Sequence, residues 1–71
     1  MHLAKLTNQG AQVTISLDEL LLINNALNEV CNGIHISEHE FSTRLGVSRR
    51  EAAAFLARVH AVIEEVSTGQ G

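Results

Sequence analysis

Ser16-Leu-Asp-Glu-Leu-Leu-Leu-Ile-Asn-Asn-Ala-Leu-Asn-Glu-Val-Cys-Asn-Gly33 is the stretch on which the fold turns. Ser16 followed by Glu19 is a capping box: the hydroxyl accepts from a first-turn N–H while the carboxylate reaches back to the cap's own N–H. Asp18 and Glu19 also set negative charge at the positive end of the helix dipole. Leu20, Ile23, Leu27, Val30, Cys31 and Ile34 recur at the three-and-four spacing of one buried helical face. Gly33 is expected to end the helix as a left-handed cap. Asn24, Asn28 and Asn32 stand four apart and so form a ladder, with Asn25 and Glu29 beside it. Asparagine is a mediocre helix former because its amide competes for backbone groups. A face that only needed water would use Glu, Lys, Gln or Arg. The ladder is therefore either a solvated side or a surface that makes specific hydrogen bonds.

Outward from this helix the same device recurs. Val13-Thr-Ile-Ser-Leu-Asp-Glu-Leu20 and Ile34-His-Ile-Ser-Glu-His-Glu-Phe41 each run an alternating triplet into a capping Ser with Glu three residues on. The two triplets are candidates for a minimal two-stranded ribbon. A second helix is expected over about 38–45, ending at Gly46. Ser48 and Glu51 form a third box that opens the last helix, whose apolar stripe is Ala52, Phe55, Leu56, Val59, Val62, Ile63 and Val66. The fold class that results is mainly α: a small three-helix domain over residues 12–66 with a short extended N-terminal segment. Residues 1–11 read as a loosely ordered lead-in and 67–71 as a disordered tail. The expected core is Ile15, Leu20, Ile23, Leu27, Val30, Ile34, Ile36, Phe41, Leu45, Val47, Ala52, Phe55, Leu56, Val59 and Ile63.

Composition narrows the function. Seventy-one residues make one domain, and a core this size rarely supplies more than about 3–5 kcal/mol of net stability, so a partner or self-association is expected. Leu21, Leu22, Val62 and Val66 are left over by the core and are candidates for a homodimer surface. The net charge of -3, with only Lys5, Arg44, Arg49, Arg50 and Arg58 as fixed cations, argues against a broad nucleic-acid footprint. No stretch has the length and apolarity of a membrane span, no secretory pattern opens the chain, and Cys31 is alone; a cytoplasmic protein is expected. His2, His35, His39 and His60 are dispersed, so neither a metal nor a cofactor is expected. With Cys31 on the apolar side and no phosphate loop or nucleophile elbow, no enzyme is expected.

The segment from Glu38 to Val59 resembles the helix-turn-helix pattern, with Phe41 and Leu45 packing one helix, Gly46-Val47-Ser48 the turn, and Ala52 and Phe55 anchoring the next. The resemblance implies a DNA-binding regulator acting as a dimer, with Ser48, Arg49, Arg50, Ala53, Ala54 and Ala57 toward a major groove and Arg58 on phosphate. The three alanines leave that face chemically blank. The runs Leu20-Leu-Leu-Ile-Asn-Asn-Ala-Leu-Asn-Glu-Val-Cys-Asn-Gly-Ile34 and Glu40-Phe-Ser-Thr-Arg-Leu-Gly-Val-Ser48 resemble a group of small uncharacterised bacterial proteins, similar in style to immunity proteins encoded beside toxins. That resemblance implies a non-catalytic protein-binding module that blocks a toxin domain. The contact surface expected for it is Asn24, Asn25, Asn28, Glu29 and Asn32. A third reading is a structural domain whose exposed apolar residues only assemble an oligomer.

Overall fold

In the computed structural model, which describes residues 1–69, two strands precede three helices: β1 (His2–Thr7), β2 (Gly10–Thr14), α1 (Leu17–Asn28), α2 (Glu38–Leu45) and α3 (Arg49–Gly69). The N-terminal segment is thus not a loose lead-in. Thr7 pairs with Gly10 across a two-residue turn, and the antiparallel register runs back to His2 opposite Thr14, with an irregularity between Leu3 and Lys5. The ribbon expected between the Val13 and Ile34 triplets is replaced by this hairpin, and Ile34 to Ser37 is an extended link in no strand. The reason is entropic: closing a two-residue loop costs less than bringing together segments about twenty residues apart.

All three capping serines act as expected, though not all three boxes close. Glu19 N–H donates to Ser16 Oγ (3.1 Å) and Ser16 N–H to Glu19 Oε1 (3.0 Å). Ser48 and Glu51 repeat the arrangement at 3.1 and 3.3 Å. Glu40 N–H donates to Ser37 Oγ (3.1 Å), but the Glu40 carboxylate turns to Arg44 (2.8 Å), so this cap is one-sided. Gly46 ends α2 at φ 79°, the left-handed region that a side chain resists. Gly33 is not such a cap. Instead α1 continues as a π-helical turn, Glu29–Gly33, and leaves through an extended Ile34. The wider turn holds an extra residue and re-aims the face that follows it.

Two core clusters result. Leu20 packs with Val59 and Ile63, flanked by Ile15, Leu17, Ile23, Leu27 and Val66. Cys31, Phe41 and Ala52 form the second, with Val30 and Ile36 against them. The start of α1 therefore meets the far half of α3, and its π-helical end meets the beginning of α3, so the two helices run antiparallel. α2 crosses only the near end. Val66 joins the first cluster and so leaves the expected dimer surface, whereas Leu21, Leu22 and Val62 are exposed. Four expected core residues, Ile34, Leu45, Val47 and Phe55, are exposed as well. Of the expected tail, residues 67–69 are helical, and Thr68 Oγ1 donates to the Glu64 carbonyl (2.8 Å); residues 70 and 71 lie outside the described part.

The body is flat, 40 × 31 × 16 Å, with a radius of gyration of 14.0 Å. A compact chain of this length has one of about 11 Å. Among the described residues the hairpin backbone stands apart from the helices, and a polar tie to them is the Met1 ammonium on the Glu19 carboxylate. No described helix is long and apolar enough to cross a membrane.

Candidate functional site

The seam between α1 and α3 has a groove on each side. Residues two apart on a helix are separated by about 200° around its axis. Ala53 and Phe55 therefore look to opposite sides of the seam, and each lines a different groove.

The first groove, about 550 Å³, is lined by Asn24 and Asn28 from α1 and by Ala53, Leu56, Ala57 and His60 from α3. It joins two features that the sequence keeps apart. The asparagine ladder forms one wall, and the alanines assigned to a DNA-facing surface form the other. Small side chains there let another backbone approach closely, while the amides supply donors and acceptors. Asn32 Nδ2 donates to Asn28 Oδ1 (2.9 Å), so the lower rungs of the ladder are joined to each other. Asn24 is different. It is partly buried, and its Oδ1 is shielded from solvent with no hydrogen-bond partner among the described residues. Such an atom is costly, about 1–3 kcal/mol for an uncompensated polar group.

The remaining residues of the expected contact surface divide. Asn25 is exposed and flanks the ladder. The Glu29 carboxylate folds over Gly33, where a Cβ would lie 2.8 Å from Oε1. Glu29 is not part of this groove.

The second groove, about 400 Å³, is mainly apolar: Leu27, Leu45, Val47, Ala52 and Phe55 line it together with Glu51 and Arg58. It contains most of the residues that would seal a helix-turn-helix core.

Two of the three arginines assigned to DNA, Arg49 and Arg58, have partners within the fold, and Arg50 is exposed. Arg49 is turned inward: Nη1 donates to the Cys31 carbonyl (2.9 Å), Nη2 to the Ile36 carbonyl (2.8 Å) and Nε to Glu38 Oε1 (2.9 Å). Its guanidinium also lies 4.5 Å from the centre of the Phe41 ring. The assignment of Arg49 to bases or phosphate is thereby corrected: its fork satisfies the carbonyls left open where the π-helical turn and the link after it end. Ser48 is occupied as the α3 cap. Arg58 stacks over Phe55 at 5.5 Å, and Arg50 is exposed on the first turn of α3.

Cys31 is a buried free thiol, and no three metal-binding side chains converge among the described residues. Among the described residues the carboxylate with a marked shift is Glu19, lowered from 4.5 to about 2 by the N-terminal ammonium and then by the Ser16 N–H. No protein-family model, curated protein or solved structure matches the chain.

Proposed function

We propose that this chain is a non-catalytic protein-binding module that takes its partner in the groove between the asparagine side of α1 and the alanine side of α3. The observation that carries the reading is Asn24 Oδ1, held in the wall of that groove with no donor. Rotation of the amide toward the groove brings the oxygen to a donor on an incoming backbone or side chain. Asn28 adds a second amide beside it, and Ala53 and Ala57 leave room for the main chain that carries the donor. The partner class follows from the resemblance of the Leu20–Ile34 and Glu40–Ser48 runs to toxin-associated proteins: a bacterial toxin domain, neutralised in the cytoplasm. An acidic chain suits a basic nuclease surface through complementary electrostatics.

Co-expression with the product of the neighbouring gene, followed by co-purification, tests the reading. Wild-type chain is expected to capture that protein, and the pair Asn24→Ala with Asn28→Ala to lose it. Capture undiminished by both substitutions rejects the groove as the contact surface.

The alternative, a helix-turn-helix regulator, is favoured by one feature: α2, the left-handed Gly46 and the Ser48-capped α3 make the expected joint. With Arg49 engaged inside, it would rest on Arg50 and Arg58. A gel shift on the gene's own upstream region at two salt concentrations decides it: salt-sensitive binding lost on Arg50→Ala supports DNA recognition, and no binding eliminates it.

A further inference from the structure

The apolar groove calls for an occupant of its own. Leu45, Val47 and Phe55 are 43%, 41% and 46% exposed, and Val62, two turns beyond Phe55 on the same side of α3, is 46% exposed. Together they make an apolar flank beside the α1–α3 seam, interleaved with Glu51 and Arg58. The chain exposes 5517 Å². A compact protein of 7.7 kDa exposes about 4,300 Å². The surplus is about 1,200 Å² over the whole chain.

The charges within the flank say what fits. Glu51 and Arg58 are of opposite sign and two turns apart along the same flank. A twofold axis set between them brings Glu51 of one copy against Arg58 of the other, twice over, because residues exchange roles across such an axis. A surface complementary to itself in charge, with apolar residues between and beyond the two charges, fits its own copy. We propose that a second copy of this chain covers the flank, forming a twofold dimer in which Val62 of each copy seats against Leu45 and Val47 of the other and the two Phe55 rings meet beside the axis. The surface differs from the expected Leu21/Leu22 face and shares only Val62 with it. The inference stands independently of the partner reading, since the asparagine groove lies on the other side of the seam and stays open.

Sedimentation of the full chain over a concentration series is the test. Wild type is expected at twice the 7.7 kDa monomer mass, dissociating on dilution. Phe55→Asp and Val62→Asp, both at exposed positions, should each weaken self-association by about 100-fold or more. Arg58→Glu should weaken it by about tenfold. Circular dichroism on each variant should report unchanged helix content. Leu22→Asp and Leu6→Asp should leave the dimer intact. The proposal is overturned by a monomer at every concentration. It is equally overturned by a dimer that survives both Phe55→Asp and Val62→Asp, or by one that Leu6→Asp dissolves, which would move the contact to the hairpin.

Discussion

Each of the two phenylalanines carries an arginine over its ring, and the two pairs behave in opposite ways. Phe41 is 0% exposed, and Arg49 above it is fastened to two carbonyls and a carboxylate from three earlier points of the chain. Phe55 is 46% exposed, and Arg58 lies across it with no ion pair among the described residues. The chemistry is the same at the level of residue types. What differs is whether backbone acceptors lie within reach of the guanidinium. At the corner of α1, α2 and α3 they do, and the arginine becomes part of the interior. Along the open flank they do not, and the arginine remains a surface cation able to meet another molecule.

The contrast predicts a steep asymmetry in stability, measurable by urea unfolding. Phe41→Ala should cost about 3–5 kcal/mol, comparable to the whole net stability of so small a domain, and should leave the chain largely unfolded. Arg49→Ala should cost about 2–3 kcal/mol, because it strands the Cys31 and Ile36 carbonyls, whereas Arg58→Ala should change the monomer by less than about 0.5 kcal/mol. Equal effects of the two arginine substitutions would erase the distinction. Asn24→Ala should move the other way, stabilising the isolated chain by about 1 kcal/mol while abolishing partner capture, since it removes an unpaired oxygen and improves helix propensity. A loss of stability there would mean that the amide is bonded within the fold. The smallest effect concerns acid. Glu19 is held at about 2 rather than 4.5, so the folded state gains from its ionised form above about pH 4.5 and loses that gain as pH falls toward 2. Glu19 carboxyl chemical shifts followed through that range should show it titrating near 2; titration near 4.5 would mean that the contact with the Met1 ammonium does not persist in solution.

Much of this arrangement is legible from residues alone. Three Ser/Glu pairs locate the starts of all three helices, and Gly46 locates the turn between α2 and α3. The asparagine ladder and the alanine side of α3 can each be recognised from spacing, but that they face each other across one groove follows only from antiparallel packing. The hairpin is missed because Leu3, Ala4 and Leu6 alternate too weakly to advertise a strand. The π-helical turn is missed because it keeps the apolar residues at helical spacing while widening the backbone under them. Leu45, Val47 and Phe55 mislead for a different reason. Apolar periodicity states that a face wants cover, but not whether the cover comes from the same chain.

The inward Arg49 also bears on how the chain folds. Its partners lie 18, 13 and 11 residues before it, so the corner they build closes through loops of modest length. The Leu20–Val59–Ile63 cluster instead joins positions about forty residues apart and costs more loop entropy to close. The corner is thus placed to form early, with α1 and the far half of α3 zipping together afterwards. Substitutions at Arg49 should slow folding, whereas those at Ile63 should mainly hasten unfolding.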